Sequence, residues 1–325
     1  MLIETEYRTL LSTGQVVSKH QAASVPQNVA GGVVVIGNFD GVHLGHQALL
    51  AQGRKIADDN NIPLVVLTFH PHPRLYFAPN QESFLIASPE QKARLLRKNG
   101  ADYVVSLKFD SDLANATADD FIRYVLVNTL RIHSVLVGDN FVFGKERGGN
   151  IDTLRQWGEK SGFRIESVSL AQSGALRVSS ERVRQALRDG DMAQANDLLG
   201  RPWQLIGKVI PGLQRGRTIG FPTANISMGE YVHPAFGAYA ARVILPESGA
   251  ICSAIVNIGK RPTVGDFNPL VEAHLLDFSG DLYKQDLTID FLAFIRAERK
   301  FESIDALKEQ IAQDVTKARA VLDLS

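Results

Sequence analysis

The sequence predicts an α/β domain built on a parallel sheet, followed by a small β-barrel with one covering helix. Three observations carry that prediction. From residue 33 to about 169, short apolar runs alternate with longer helical segments. Residues 203–294 hold strand-like runs separated by turn-rich loops, without that alternation. One amphipathic segment then follows residue 303. The 325 residues exceed the ~100–200 that a single core usually organises. A hydrophobic share of 45% with 22% charged residues supplies two cores and excludes a disordered or fibrous chain.

In the first half, residues 33–36, 63–69, 103–107, 134–137 and 164–168 read as buried strands of a sheet covered on both faces. Helices fill the intervals. The clearest starts at Ser88, with Pro89 in its first turn, Gln91 as the capping-box partner, and Lys98 and Gly100 at its far end. In such sheets ligands bind beyond the carboxyl ends of the strands. Two further helices, 180–189 and 191–199, end at Gly200-Arg201-Pro202. The expected division is therefore 1–185 and 186–325, with 186–202 as connecting helices. Barrel strands are expected at 204–210, 238–245, 251–258, 271–278 and 287–294. Ile304, Leu307, Ile311, Val315 and Leu322 recur at helical spacing behind Ser303 and give the covering helix its apolar face.

Charge and cysteine content narrow the function classes. Residues 1–185 carry 20 basic and 18 acidic side chains, and the remainder 15 and 17. Neither half is a basic nucleic-acid domain. The lone Cys252 has no partner for a disulfide or a zinc site, which suits a reducing compartment. Residues 1–8 carry Glu4 and Glu6 where a secretion signal needs a basic start and an apolar run. No apolar stretch approaches the ~20 residues of a membrane span. A cytoplasmic protein is expected.

The chemistry concentrates in loops after predicted strands. The first strand runs into Gly37-Asn38-Phe39-Asp40-Gly41-Val42-His43-Leu44-Gly45-His46 and then a helix. Backbone N–H groups at a helix start favour phosphate, and His43 and His46 share one side of that helix, so both imidazoles can reach one phosphoryl group. Attack of a phosphate or carboxylate on the α-phosphorus of ATP needs charge and geometry rather than a base, because the nucleophile is already anionic. Two capping or surface histidines are the plainer alternative, and a metal site lacks a third ligand.

Three other loops leave the same sheet: Thr68-Phe69-His70-Pro71-His72-Pro73, residues 138–145 and residues 177–184. Arg177, Ser179 and Ser180 precede a helix and suit a triphosphate, although two serines there also make an ordinary cap. In the second half, the glycine-rich stretch 212–220 precedes Phe221-Pro222-Thr223-Ala224-Asn225, and there is no Walker A motif. Its glycines allow close approach to phosphates, and Thr223 and Asn225 offer neutral oxygens suited to magnesium shared with ATP; a mobile basic hairpin is the alternative. Within 271–278, strand alternation puts Glu272, His274 and Leu276 on one face. A carboxylate there can accept the proton that phosphoryl transfer to an alcohol releases.

Taken in order over residues ~30–320, these motifs resemble the bacterial bifunctional riboflavin kinase/FAD synthetase family. Arg296, Glu298, Lys300 and Phe301 before the last helix fit as well. The resemblance implies a Rossmann-like FMN adenylyltransferase domain followed by a riboflavin kinase barrel. The barrel would phosphorylate riboflavin to FMN, with Glu272 as base and Thr223 and Asn225 on magnesium and ATP. The first domain would adenylylate FMN to FAD, releasing pyrophosphate, with His43 and His46 stabilising the transition state.

The resemblance also assigns ATP binding to Gly37, Asn38, Phe39, Asn140, Arg177, Ser180, Gly212 and Gly216, and flavin binding to Pro71, His72 and Pro73. Val142 stands where arginine is common, His70 where glutamate or aspartate is common, and Glu181 where a hydroxyl residue is usual. A carboxylate at 181 is expected to handicap adenylylation by repelling ATP; a stabilising first-turn residue that points away from ATP, neutralised by Arg177 or Arg184, is the plainer alternative. Small-molecule partners are expected, with no nucleic acid and no membrane, and with transient self-association left open. An aminoacyl-tRNA synthetase also carries His-x-Gly-His, but would need an RNA-binding surface that the near-neutral halves do not supply. A flavin-binding protein without turnover would not need His43, His46, Thr223, Asn225 and Glu272 together.

Overall fold

The computed structural model describes residues 1–5, 29–78, 83–168, 172–173, 176–212, 220–259 and 269–322, with the side chains of 167, 168, 172, 173, 176 and 177 outside that description. The chain divides into two compact units. One comprises Met1–Gln81 with Pro89–Val178, the other Glu82–Ser88 with Ser179–Ser325.

The first unit is a six-stranded parallel sheet. Its strands are β1 (Leu2–Thr5), β2 (Val33–Ile36), β3 (Leu64–His70), β4 (Tyr103–Lys108), β5 (Ser134–Gly138) and β6 (Arg164–Val168), in the order β1-β4-β3-β2-β5-β6. Five of the six were legible as apolar runs. The edge strand β1 was not, and it pairs in parallel with β4, Leu2 opposite Val104.

Alternate residues of the central strands feed two cores, as a doubly wound sheet requires. Val33, Val35, Leu64, Val66 and Leu136 pack against α1 (Leu44–Asn60) and α2 (Pro89–Lys98). Val34, Ile36, Val65, Leu67 and Val135 pack on the opposite face, against a wide-turned helix over Phe121–Thr129 and against Leu154. Chain order runs outward in one direction from β2 through β3 and β4, and in the other through β5 and β6. The switch point therefore lies between β2 and β5, where such sheets open a crevice. A short antiparallel pair, β7 (Gln172–Ser173) and β8 (Leu176–Arg177), completes the unit.

The second unit is a closed six-stranded barrel. It comprises β9 (Trp203–Ile210), β10 (Ala224–Ser227), β11 (Gly237–Ile244), β12 (Ile251–Gly259), β13 (Leu270–Leu275) and β14 (Asp286–Ala297), closing in the order β10-β13-β12-β11-β14-β9. The sequence reading placed 224–225 in a loop. The structure makes them a strand, and closure depends on it.

Two helices join the barrel, Ser180–Asp189 and Met192–Leu199. Asn196 fixes the second of them by donating to the Phe291 carbonyl (3.0 Å) and accepting from the Trp203 N–H (2.7 Å). Residues 83–88 also belong here: Phe84 and Leu85 N–H groups donate to the Glu230 carbonyl at 2.9 Å, and the Trp203 indole donates to the Ile86 carbonyl at 3.0 Å. The second unit therefore begins at Ser179, seven residues before the division read from sequence, and takes in this distant segment.

Two expectations need correction. The strand read as 271–278 ends at Leu275, and Asp277 lies beyond it in the left-handed region at φ +57°. The covering helix, Ile304–Leu322, is only partly buried along the expected stripe: Ile304 is 62% exposed, Leu307, Ile311 and Val315 are half-buried, and Leu322 is buried together with Gln310, Asp314 and Ala318. The reason is polar. Arg296 Nε reaches Asp314 at 2.7 Å, and Gln310 Nε2 donates to Asp314 at 2.7 Å, so this stretch docks through ionised groups.

Candidate active sites

In the first unit the loop after β2 turns tightly. Phe39 and Val42 are fully buried yet sit at φ +53° and +42°, a region that non-glycine residues, and β-branched ones above all, seldom occupy. Strain of this kind persists only where its surroundings over-determine it, and it gathers at functional sites. The turn delivers His43 to the N-cap of α1, where its Nδ1 accepts the His46 N–H at 3.3 Å. A neutral His43 therefore carries its proton on Nε2.

The rings of His43 and His46 stack with centroids 3.6 Å apart and 15° between planes. Gly45 makes room for this. A Cβ there would lie 3.2–3.3 Å from the His43 ring. Two imidazolium ions could not share that geometry. Burial, then His43, then Lys92 hold His46 well below the usual imidazole range, so it is uncharged at neutral pH.

The other residues read from sequence lie at or beyond the carboxyl ends of strands, or on the helix that opens the second unit. Gly37 and Asn38 follow β2, with Asn38 exposed. Asn140 is an exposed turn residue after β5, where the Phe141 N–H donates to the Gly138 carbonyl at 2.9 Å. Beyond β3, Pro71 follows a cis peptide, and His72 caps the short helix Pro73–Phe77 by accepting the Arg74 N–H at 3.1 Å. Tyr76, Phe77 and Phe109 form an edge-to-face cluster beside them, with Phe77 68% exposed. Arg177 lies on β8 with its side chain outside the described residues. Ser180 opens the helix Ser180–Asp189 of the second unit, and Ser179 is that helix's cap. Glu181 is paired with Arg184 (3.2 Å) and Arg188 (3.4 Å).

In the barrel, register assembles the second set. Asn225 on β10 stands directly opposite Glu272 on β13, and Glu272 directly opposite Asn257 on β12. Side chains so paired share one face at about 5 Å between Cβ atoms. Neighbouring Val271 and Ala273 fill the interior, so the polar row lies on the outer face. The Asn225 Nδ2 donates to the Thr223 carbonyl at 3.4 Å. Gly212 abuts that amide: a Cβ there would lie 2.6 Å from Asn225 Cγ and 2.8 Å from its Oδ1.

Thr223 and Asn225 also border a cavity of about 280 Å³, lined with Ala273, Leu275, Phe278 and Tyr283. Its volume is near the lower end of the ~300–1,000 Å³ common for ligand sites. His274 lies beside Pro222, another residue of that lining, with Nδ1 2.8 Å from the Pro222 carbonyl and its ring edge-on to Phe221. Gly216 falls outside the described residues.

A model of the FAD synthetase family matches residues 25–182, and a model of the riboflavin kinase family matches residues 199–322. A bifunctional riboflavin kinase/FMN adenylyltransferase from Haemophilus influenzae is 42% identical over 301 residues, covering 93% of this chain and 96% of that protein. The chain belongs to this bifunctional family. The Escherichia coli K12 member is 41% identical over 307 residues, covering 94% of this chain and 97% of its own. A crystal structure named as a macrolide-efflux protein from Streptococcus pneumoniae matches with a TM-score of 0.80 at 30% identity, over 89% of this chain and 94% of that one. Among the described residues no helix is long and apolar enough to cross a membrane.

As a riboflavin kinase/FMN adenylyltransferase, the chain phosphorylates riboflavin to FMN with ATP and adenylylates FMN to FAD with a second ATP, releasing pyrophosphate. For such an enzyme the sequence reading missed two features. The aromatic cluster of Tyr76, Phe77 and Phe109 had no spacing signal, because Phe109 joins it from the end of another strand. Lys92 did carry a signal: it is a lysine on the face of α2 that also holds Ala93, Leu95 and Leu96, and it is buried.

Proposed function

We propose that the two reactions are divided between the two units. Riboflavin phosphorylation takes place at Thr223, Asn225 and Glu272 of the barrel, and FMN adenylylation at His43 and His46 of the parallel-sheet unit. The observation that supports the kinase half is the cross-strand pairing of Asn225 with Glu272, which sets a carboxylate beside a buried amide that itself borders a cavity.

Glu272 takes the proton of the ribityl hydroxyl as that oxygen attacks the γ-phosphorus of ATP, and ADP leaves. Magnesium fits this corner. Its preferred oxygen donors are present, and the Asn225 amide, by giving its N–H to the Thr223 carbonyl, keeps its oxygen for a cation. Thr223 and Asn225 would hold the ion, which when bound offsets charge on the phosphates of ATP. Gly212 gives the phosphates room beside that amide, and Gly216 is assigned the same task.

In the other unit the FMN phosphate, already anionic, attacks the α-phosphorus of ATP and pyrophosphate leaves, so no base is required. The His43 imidazole at the cap of α1 and the uncharged His46 imidazole on its first turn donate to the oxygens that gain charge. Gly37, Asn38 and Asn140 are assigned to ATP at the switch-point crevice, with fully buried Phe39 supporting that loop from within and Arg177 assigned to the phosphates. Pro71, His72 and Pro73, next to the aromatic cluster, receive the flavin ring. The near-neutral charge of each half and the single Cys252 support a cytoplasmic enzyme acting on small molecules. The test is Glu272→Gln. Phosphorylation of riboflavin should fall at least ~10²-fold while adenylylation of supplied FMN persists; retained phosphorylation would remove the base from this account.

A further inference from the structure

Burying an ammonium group is costly unless its donors are satisfied, so a lysine at a core position of a helix calls for a reason. Lys92 is 9% exposed, and its Nζ meets three oxygens: Thr68 Oγ1 at 3.0 Å, the Asn38 carbonyl at 3.2 Å and the Phe69 carbonyl at 3.2 Å. Three N–H donors thus meet three acceptors. Thr68, itself 1% exposed, donates from the same Oγ1 to the Asn38 carbonyl at 3.2 Å. Two donors therefore converge on the carbonyl immediately before Phe39, the residue strained at φ +53°. The ring of Phe39 in turn stands edge-on to His46, with centroids 5.1 Å apart.

We propose that Lys92 is a positioning residue for adenylyl transfer: together with Thr68 it clamps the Asn38 carbonyl, ties the loop after β2 to the end of β3, and so fixes the place of His46. Rotation of the Asn38-Phe39 peptide would swing the aromatic ring against which His46 rests. The charged and titratable groups that act on the ammonium are Asp40 from the loop and His46 from the first turn of α1, while Thr68 and Phe69 of β3 present neutral oxygens. Asp40, 3% exposed, attracts the ammonium, and the ammonium helps to keep His46 uncharged. The clamp thus acts on both the position and the protonation of the histidine without touching substrate.

This inference rests on the reading of His43 and His46 as the adenylylating pair, so His46→Ala is measured alongside. In the full chain, Lys92→Met should lower kcat of FMN adenylylation by ~10²-fold, the loss expected of a ~1 Å misplacement. KM for ATP should stay within about threefold, because the interaction is felt in the transition state. Riboflavin phosphorylation by the same preparation should be unchanged. Thr68→Val, which keeps the charge but removes one arm of the clamp, should cost about tenfold in kcat, and Lys92→Arg should recover part of the Lys92→Met loss.

Adenylylation retained in Lys92→Met, or a loss confined to KM, would overturn the proposal. If Lys92→Met also loses phosphorylation and does not fold, Thr68→Val decides: a selective kcat loss supports the clamp and wild-type kcat overturns it. A defective His46→Ala beside active Lys92→Met and Thr68→Val sinks the clamp alone. An active His46→Ala sinks the histidine reading and the clamp with it.

Discussion

Gly212→Ala isolates the kinase corner with a single methyl group. The added Cβ would lie 2.6 Å from Asn225 Cγ and 2.8 Å from its Oδ1, distances that no carbon tolerates, so one group must move by about 1 Å toward ordinary contact. Asn225 cannot move freely: it is 6% exposed, it stands in β10 between β9 and β13, and its amide donates to the Thr223 carbonyl. Overpacking of this kind costs ~1–3 kcal/mol of stability. A ~1 Å error in a group that places ATP costs ~10² in rate, or about 2.7 kcal/mol of transition-state stabilisation. Riboflavin phosphorylation, followed by chromatography at saturating ATP, should therefore fall ~10²-fold while adenylylation of supplied FMN in the other unit is unaffected. Unchanged phosphorylation would refute the placement of ATP at Asn225. An equal fall in both reactions would refute the division of labour.

Two further outcomes are expected. Glu181→Thr should change adenylylation kcat/KM less than about twofold and stability by ~0–1 kcal/mol, because Arg184 and Arg188 already balance a carboxylate that is 56% exposed. A large gain would show that the carboxylate does repel ATP. The pH dependence turns on Lys92, which burial pushes down to about 8 against the attraction of Asp40. Above about 8 the clamp loses its charge, so adenylylation kcat should fall as pH rises through that value, with no such limb in Lys92→Arg. The unfolded chain binds more protons than the folded one between that pKa and the ordinary lysine value, so this group's contribution to stability rises with pH over the same window. A fall in activity that tracked a fall in melting temperature would contradict the assignment.

The parallel sheet was legible because runs such as Val33–Ile36 are apolar at every position, which only a strand covered on both faces tolerates. β1 was not, since its four residues become a strand only by pairing with β4 about a hundred residues away. Asn225 was found through its motif but misplaced in a loop: Ala224–Ser227 follows Pro222 and holds one strong β-former, and barrel closure between β9 and β13 is what extends it. The helical stripe from Ile304 was legible as a pattern and partly right as an interface: Leu322 is buried and Leu307, Ile311 and Val315 are half-buried, but Ile304 is exposed and Asp314 and Gln310 add a polar contact to Arg296 and Arg299 that no apolar pattern shows. His43 and His46 could be read as a pair from spacing alone. Their stacking, the lowered basicity of His46 and the clamp behind them depend on Gly45, Thr68 and Lys92, which meet only in three dimensions.

The division of the two reactions between two separate sites is tested most directly by mixing two variants. Glu272→Gln and His46→Ala, each incubated alone with riboflavin, ATP and magnesium, should make little or no FAD, the first because FMN is never formed and the second because FMN accumulates. Combined, they should yield FAD after a lag in which FMN appears first. A mixture that makes no FAD, although Glu272→Gln adenylylates supplied FMN and His46→Ala phosphorylates riboflavin, would contradict two sites working in sequence through released FMN.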